Sequence, residues 1–314
     1  MGYAFTFPIF RLWGGCQIGC YVHYPTISTD MLALVRSREG TYNNKSSISR
    51  SPVFSTLKLW YYHLFAHLYG FVGSFARVAM VNSSWTQGHI NTLWKMPRRT
   101  FKVYPPCDTG AFQDFQLEKR EQLIVSVAQF RPEKNHALQL RSVALLFQKH
   151  PEHREKVTLA LIGSARNKED EARIAALREL AQELAIDNSV VFVVNASFDV
   201  LKAHLGRGLV GIHTMWNEHF GIGVVEYMAA GLIPLAHNSA GPKMDIVTVG
   251  YLAQTAEEYA TQLNTILRLD LTPRVSIQRA AREVAVKRFS EKNFTEGFCS
   301  AFTHLLPPAF EKRR

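Results

Sequence analysis

Two glutamates lie in and just after a glycine-containing turn in the second half of this chain of 314 residues. Glu218 lies in the turn, and Glu226 lies in a helical pattern that starts at about Ile222. Their spacing of eight residues is a little over two helical turns, so both carboxylates can approach one elongated ligand. The free N–H groups and the positive dipole end at the helix start favour a phosphate. Because carboxylates repel phosphates, we expect both glutamates to bind hydroxyl groups. A nucleotide sugar has both phosphates and sugar hydroxyls, so it is the ligand that fits this arrangement.

The elements that must position these groups are a strand, a loop, a helix, a second strand and a second loop. An apolar run over residues 209–213 predicts the first strand, and the helical pattern ends at Ala230 with Gly231 as its C-cap. A second apolar run, 232–236, leads into a loop of small and polar residues at 237–243, which we expect outside the core. In an open parallel sheet both loops emerge at the carboxyl ends of strands, where ligands bind. The sequence therefore predicts that both loops face one crevice.

Strand and helix patterns alternate through the rest of the second half, which predicts a doubly wound parallel sheet. Further strands are expected at 123–128, 156–163 and 190–194, and further helices at 137–147, 169–184, 198–204, 256–267, 274–288 and 294–306. The first half predicts strands at 1–5, 17–22 and 78–81 and a helix that follows Asn82-Ser83-Ser84 and runs to Trp94.

Composition places the chain among globular proteins, with 47% hydrophobic and 20% charged residues. The net charge of +10 indicates anionic partners. Nucleic acid is not expected, because no run of Lys and Arg is interleaved with aromatic residues. The four cysteines are too scattered for a disulfide framework and are predicted to be free thiols.

The sequence predicts neither a signal peptide nor a membrane span. Residues 53–81 combine many aromatic residues with Lys58, His63, His67 and Arg77. This composition suits a helix that lies in a bilayer interface, and it suits a domain helix with one buried face equally well.

The two glutamates belong to a longer pattern. His-Phe-Gly precedes the helix, Met-Ala-Ala-Gly ends it, and Gly-Pro-Lys-x-Asp follows at 241–245. This pattern resembles the retaining GT-B glycosyltransferases, which implies an α/β fold of two Rossmann-like domains with parallel sheets. In that family the first glutamate, here Glu218, contacts the transferred sugar, and the second, here Glu226, holds the nucleotide ribose.

The resemblance also implies cations on the donor diphosphate. Lys134 matches the family's lysine, whereas Gln129 stands where relatives carry an arginine, so Arg131 is expected to supply that charge by a shifted register. The remaining donor-binding residues are expected to be Phe220, Gly221, Ile222, Gly223 and Gly163. No cofactor is expected and, because there is no Asp-x-Asp motif, no metal.

His23 follows a predicted strand and precedes Pro25, which stops the strand. A structural hydrogen-bonding role and a catalytic role are both open for it. The family resemblance supports the catalytic role, because many members carry a histidine of the N-terminal domain near the reacting sugar.

Longer matching segments at 1–5, 21–32, 81–86, 103–108, 129–136 and 213–226 narrow the resemblance to mannosyltransferases that extend dolichol-linked oligosaccharides at the endoplasmic reticulum. It implies α-1,2 transfer of mannose from GDP-mannose to a trimannosyl dolichol-diphosphate-linked oligosaccharide, in the lipid-linked oligosaccharide assembly that serves protein N-glycosylation. The implied location is the cytosolic face of the endoplasmic reticulum membrane. Other mannosyltransferases of the pathway are further candidate partners, and a sister enzyme of the pathway is a weaker alternative.

Three regions are expected: a partial acceptor-side domain at 1–116, a nucleotide-sugar domain at 117–290, and a helix at 291–314 that returns toward the first domain. Relatives carry a membrane anchor and several strands before the position that Met1 matches, so the N-terminal domain is expected to be incomplete. The competing hypothesis is a truncated non-catalytic paralogue that binds GDP-mannose or a partner transferase. The short loop at 247–250 and the expected lack of N-terminal strands favour it, whereas Glu218, Glu226 and Lys134 oppose it.

Overall fold

A computed structural model describes residues 3–28, 30 and 52–306 of the chain. The chain divides into two compact units. The first unit comprises Met1–Tyr104 and Phe294–Arg314, and the second comprises Pro105–Asn293.

The strands and helices of the described residues follow the alternation that the sequence predicts. The strands are β1 (Gly19–Val22), β2 (Val78–Val81), β3 (Thr100–Lys102), β4 (Leu123–Val127), β5 (Thr158–Gly163), β6 (Val190–Val194), β7 (Val210–His213), β8 (Ile233–His237) and β9 (Tyr251–Ala253). The helices are α1 (Phe7–Leu12), α2 (Pro52–Gly73), α3 (Ser84–Trp94), α4 (His136–Lys149), α5 (Lys168–Glu183), α6 (Phe198–Arg207), α7 (Ile222–Ala230), α8 (Ala256–Leu267), α9 (Leu271–Phe289) and α10 (Glu291–Thr303).

The first unit is built on a parallel sheet of three strands in the order β1-β2-β3. The central strand β2 is buried along its whole length. On one face, Val78 and Met80 pack with Val103 and with Ala301 of α10. Helix α10 therefore completes the core of a sheet that is formed by residues much earlier in the chain.

The second unit contains a parallel sheet of six strands in the order β6-β5-β4-β7-β8-β9. Strands β4 to β6 extend in one direction and β7 to β9 in the other, so the order reverses between β4 and β7. Doubly wound sheets bind ligands outside the carboxyl ends of the strands at such a reversal. The fold thus places the loops after β4 and β7 at the expected position of a ligand site.

Helix α7 is held tightly against the two strands at this reversal. The backbone N–H of Val127, at the end of β4, donates to the Tyr227 hydroxyl at 2.6 Å, and this hydroxyl donates to the Ile212 carbonyl at 3.4 Å. Gly211 has no side chain where the Tyr227 ring packs, and any Cβ there would collide with the ring. The start of α7 is therefore fixed with respect to both strands.

Several predicted elements have the bounds that local signals indicated, including β2, β6, α3, α7 and α8. The prediction of a strand at 1–5 is wrong, because Tyr3–Thr6 form a 3-10 helix that leads into α1. Pro8 explains this difference, since proline fits the first turn of a helix. The predicted loop at 237–243 is only partly correct, because His237 ends β8 and Pro242–Ile246 form a π-helix, and most of the segment is more buried than expected. Gly241 packs directly on the backbone carbonyls of His219 and Phe220, where a Cβ would lie 2.5–2.7 Å from them.

All four cysteines are free, as predicted. No helix in the described part of the chain is long and apolar enough to cross a membrane.

Candidate active site

Glu218 lies at the centre of a small polar cluster in the second unit. Its Oε2 atom accepts a hydrogen bond from Lys134 Nζ at 2.6 Å and lies 3.2 Å from His213 Nε2. The Lys134 ammonium also approaches the Met215 sulfur at 3.2 Å. The other carboxylate oxygen, Oε1, has no hydrogen-bond partner among residues 3–28, 30 and 52–306. Glu218 is therefore held by one oxygen and offers the other to a ligand.

The surroundings of Glu218 keep its carboxylate ionised. Burial raises the pKa of Glu218, but the hydrogen bond and charge of His213 and the charge of Lys134 outweigh burial and hold the pKa well below its ordinary value. An ionised carboxylate only accepts hydrogen bonds, so His213 carries its hydrogen on Nε2. The result is a fixed negative acceptor that suits hydroxyl groups.

Two neighbouring loops fix this cluster by hydrogen bonds. Thr214 Oγ1 lies 2.9 Å from the Lys134 carbonyl oxygen, to which it donates, and this links the loop after β7 to the loop after β4. On the other side, the Gly241 N–H donates to the Glu218 carbonyl at 2.9 Å, and the Asn217 N–H donates to Ser239 Oγ at 2.9 Å. The segment after β8 thus supports the loop that carries Glu218.

Glu226 lies within α7 and differs from Glu218 in its surroundings. No protein donor in the described residues is hydrogen-bonded to its carboxylate, and burial raises its pKa to about 6. A partly buried carboxylate without a partner is costly in free energy, because the charged form loses its hydration. Hydroxyl groups of a ligand would donate hydrogen bonds to the carboxylate in place of the lost water.

Both glutamates line a cavity of about 450 Å³ within the second unit. The cavity is bounded by the carboxyl ends of β4, β5, β6 and β7 and by the first turn of α7. Its lining comprises Val127, Ala128, Gln129, Lys134, Ile162, Gly163, Ser164, Asn195, Ala196, Leu201, His213, Glu218, Gly221, Ile222, Gly223 and Glu226.

The shape of this cavity depends on two glycines. Gly221 adopts φ +105° at the N-cap of α7, a left-handed backbone that disfavours side chains, and the first turn that follows, with its free N–H groups, lines the cavity at Ile222 and Gly223. Gly163, at the end of β5, touches the Ala128 carbonyl so closely that any Cβ would collide with it. The cavity can therefore accept a phosphate at the helix start and bulk beside β5.

The structure brings together most of the residues that the sequence singled out. Lys134, Gly163, Glu218, Gly221, Ile222, Gly223 and Glu226 line the one cavity. Arg131 and Phe220 do not line it. The guanidinium of Arg131 lies 3.7 Å from Glu133 Oε1, and the Phe220 ring is buried at 5.6 Å from the Phe289 ring. The roles assigned to all these residues stay predictions.

His23 lies in the first unit, directly after β1, and is exposed. Its carbonyl accepts a hydrogen bond from Asn82 Nδ2 at 2.9 Å, and its ring lies 4.8 Å from the Tyr21 ring. Its position at the carboxyl end of a strand agrees with the sequence analysis, and its role stays a prediction.

Some lining residues were not predicted from the sequence. Ser164 follows β5, and Asn195 and Ala196 follow β6, so all three lie at the carboxyl edge of the sheet. The signal that could have identified them is their position directly after a predicted strand. Within the described ranges, no group of His, Cys, Asp and Glu is arranged to hold a metal ion.

The doubly wound sheet with a cavity at its topological reversal is the fold of the GT-B glycosyltransferases, which confirms the predicted fold class. The chain belongs to the glycosyl transferases group 1 family, whose model matches residues 109–284. A second family model, ALG11 mannosyltransferase N-terminus, matches residues 1–94.

Curated relatives agree with the closer resemblance. The chain is 52% identical over 312 residues to the GDP-Man:Man(3)GlcNAc(2)-PP-Dol alpha-1,2-mannosyltransferase of Xenopus laevis, and 51% identical over 317 residues to that of Homo sapiens. These matches cover 96% and 98% of this chain and 64% of each relative. The chain therefore spans less than two thirds of the length of the curated relatives that it matches.

Solved structures support the fold. Anabaena HepE in complex with UDP and glucose superposes with a TM-score of 0.71 at 16% identity, over 96% of this chain and 75% of that chain. The alpha,alpha-trehalose 6-phosphate synthase of Burkholderia multivorans gives a TM-score of 0.73 at 12% identity, over 96% and 69%. At these identities the likeness concerns the fold alone.

Proposed function

We propose that the protein transfers mannose from GDP-mannose to a dolichol-diphosphate-linked Man(3)GlcNAc(2) oligosaccharide, forming an α-1,2 linkage with retention of configuration. The names of the curated relatives support this donor, acceptor and linkage. The observation that carries the proposal is the joint lining of one cavity by Glu218, Glu226 and Lys134 at the start of α7.

Each group of the cavity has a distinct task in this proposal. The diphosphate binds the N–H groups of the first turn of α7 and the Lys134 ammonium, which stabilise the negative charge that develops as the bond from mannose C1 to the phosphate oxygen breaks. Oε1 of Glu218 accepts hydrogen bonds from mannose hydroxyls. Glu226 accepts hydrogen bonds from the guanosine ribose.

The two carboxylates suit these tasks for different reasons. Glu218 is ionised and held by Lys134 and His213, so its orientation is set before the donor binds. Glu226 accepts no hydrogen bond from the described residues, so hydroxyl groups of the ribose would supply the hydrogen bonds that its carboxylate lacks. Charge-assisted hydrogen bonds of this kind are about twice as strong as neutral ones.

The proposal extends to domains, partners and location. The donor domain at 117–290 lies within the unit Pro105–Asn293, the acceptor-side domain is 1–116, and 291–314 includes α10. Because the acceptor is lipid-linked, the protein works at the cytosolic face of the endoplasmic reticulum membrane, and other mannosyltransferases of the pathway are candidate partners. His23 is proposed to act near the transferred mannose.

A second function, binding of GDP-mannose without transfer, is favoured by the short segment after the π-helix Pro242–Ile246. The N–H of Val247 donates to the Pro242 carbonyl at 2.9 Å and closes this π-helix, and Gly250 follows only three residues later with φ +128° against Pro234. A segment this short contributes few groups to a donor site.

The deciding experiment measures transfer of labelled mannose from GDP-mannose to a trimannosyl dolichol-diphosphate acceptor. Glu218→Gln serves as the inactive variant, and Glu179→Gln, on the exposed face of α5, serves as the matched control. Transfer that persists in the control and is lost in Glu218→Gln supports the transferase. GDP binding without transfer in the unsubstituted chain supports the binding function instead.

A further inference from the structure

A second cavity, of about 640 Å³, lies in the first unit and has a strongly basic lining. It lies at the amino ends of the strands, since Arg77 directly precedes β2 and both Arg98 and Arg99 directly precede β3. His23, in contrast, follows the carboxyl end of β1. The remaining lining residues are Arg11, Leu12, Ser74, Phe75, Phe101 and His304. We call this space the arginine cavity.

The four arginines of this cavity converge without a counter-charge. Arg11 and Arg77 both donate to the same amide oxygen of Gln17, at 2.7 and 3.4 Å. Arg77 Nε donates to the His304 carbonyl at 2.8 Å, and Arg99 donates to the Ala76 carbonyl at 2.8 Å. These acceptors are all neutral, and no Asp or Glu of the described residues is within salt-bridge distance of any of the four guanidinium groups. Like charges held together in this way favour an anion between them.

The anion that best fits this cavity is a phosphate. A guanidinium presents its N–H groups as a planar fork that matches two oxygens of a phosphate. Several guanidinium groups around one cavity can bind a tetrahedral phosphate from more than one side. Arg98, which has no hydrogen-bond partner in the described part of the chain, is the guanidinium most available to such a ligand.

Exposed apolar side chains adjoin the arginine cavity. On α1 and the residue after it, Phe10, Leu12 and Trp13 are 55%, 68% and 86% exposed, and Leu12 also lines the cavity. On α2, one exposed stripe comprises Trp60, Leu64, Leu68 and Phe71. The Phe71 ring lies 5.3 Å from Phe75, which lines the cavity, so the apolar surface continues to its rim.

Phosphate-binding cations next to exposed aromatic and aliphatic side chains match the order of groups in a lipid leaflet, where phosphates lie above acyl chains. We propose that the arginine cavity binds the phosphate of an anionic phospholipid headgroup, while the exposed side chains of α1 and α2 enter the adjoining acyl region. The proposal gives a lipid chemistry and a site to the membrane contact proposed above, and it does not require that the protein transfers mannose.

Co-sedimentation with vesicles tests the proposal. One set of vesicles contains phosphatidylcholine alone, and the other contains an equimolar mixture of phosphatidylcholine and phosphatidylserine. The variant Arg11→Gln/Arg98→Gln removes two charges from the cavity. The control Arg141→Gln/Lys149→Gln removes the same charge from exposed positions of α4 in the second unit. Exposed charges more than about 8 Å apart are largely screened at physiological salt, so the control isolates the position of the charge.

We expect the unsubstituted protein to bind the mixed vesicles more tightly than the phosphatidylcholine vesicles. The cavity variant should lose about thirtyfold in affinity for the mixed vesicles, that is, about fivefold for each charge near an anionic surface. Equal loss in the control, or equal binding of both vesicle types, overturns the proposal. Arg98→Glu alone provides a second variant, because Arg98 has no protein partner among the described residues whose loss would disturb folding.

Two further measurements distinguish the remaining explanations. Binding of inorganic phosphate to the unsubstituted protein and to Arg11→Gln/Arg98→Gln, measured without vesicles, tests the other source. Phosphate binding that is lost in the variant while its vesicle selectivity is unchanged would show that the cavity takes a free phosphate instead. GDP affinity, measured on the same preparations, reports on the second unit and should not change in the cavity variants. Loss of GDP binding with intact vesicle selectivity would contradict the proposed function alone, and the reverse would contradict the lipid site alone.

Discussion

The Lys134 ammonium and the Glu218 carboxylate form an ion pair of 2.6 Å inside the cavity of the second unit. Both side chains are largely buried, at 23% and 14% exposure, so each charge depends on the other for its loss of hydration. A bound diphosphate would compete with Glu218 for the same ammonium. The pair therefore couples the position of the sugar-binding carboxylate to the charge of the donor.

Removal of one partner of this pair should destabilise the fold, whereas removal of both should not. Lys134→Met leaves the Glu218 charge with His213 alone and should lower the free energy of unfolding by about 2–3 kcal/mol. The double variant Lys134→Met/Glu218→Gln should recover most of this loss, because no buried charge remains unpaired. Chemical denaturation measures both values, and additive losses would show that the two residues do not interact.

The two glutamates should affect different steps of the proposed reaction. Glu226→Gln weakens the hydrogen bonds to the ribose and should reduce GDP affinity by about tenfold, a difference of about 1.4 kcal/mol. Glu218→Gln should not lower GDP affinity, because GDP lacks the mannose and the substitution frees Lys134 for the diphosphate, and it should slow transfer by at least about a hundredfold. Isothermal calorimetry and single-turnover kinetics measure the two effects. Equal loss of GDP affinity in both variants would contradict this division.

Donor binding should depend on pH through Glu226. Burial raises its pKa to about 6, so its carboxylate is protonated as the pH falls through 6, and its hydrogen bonds to hydroxyl groups weaken. We expect GDP affinity to decrease below about pH 6 in the unsubstituted protein. The same titration in Glu226→Gln should lack this step, and a step that persists in the variant would assign it to another group.

The same pKa predicts an opposite effect on stability. The folded pKa is higher than the unfolded one, so folding favours the protonated form, and this contribution is present below the unfolded pKa of about 4.5 and is lost as the pH rises through about 6. Glu226→Gln should therefore stabilise the unliganded protein at neutral pH by about 1–2 kcal/mol. Thermal unfolding without ligand provides the measurement, and an unchanged midpoint would mean that Glu226 is hydrated in the cavity.

Gly163 should tolerate no side chain. Gly163→Ala forces the end of β5 away from the Ala128 carbonyl and should destabilise the protein by at least about 2 kcal/mol. Gly88→Ala is the matched control, since Gly88 lies in α3 with open space around its Cα and alanine there should stabilise by about 0.5–1 kcal/mol. Urea denaturation of both variants tests this contrast, and similar effects would show that the close approach at Gly163 does not exist.

Elements with complete local signals could be predicted from the sequence. Helix α7 is the best example, because its apolar run lies between a glycine at each end, and Gly231 indeed adopts φ +80° at its C-cap. The strand at 1–5 was predicted wrongly, because the apolar and aromatic residues there fit a helical turn as well as a strand. Pro8, in the first turn of α1, and the packing of Phe7 in the core favour the helical conformation.

The contacts of the site could not be derived from local signals. Lys134 and Glu218 are 84 residues apart, and only the neighbouring positions of β4 and β7 in the sheet bring them together. His213 lies only five residues before Glu218, but its distance of 3.2 Å from that carboxylate depends on the turn that the segment after β8 supports. The positions of these residues at strand ends were predictable, and their pairing was not.

Helix α10 completes the core around β2, although about two hundred residues of sequence separate them. Because a ribosome produces the chain from its amino terminus, β2 leaves the ribosome long before the helix that covers it exists. One face of the first sheet must therefore remain exposed, within reach of chaperones, until α10 has been synthesised. A premature stop after α9 would spare every residue of the donor cavity and still release a chain whose first unit cannot close.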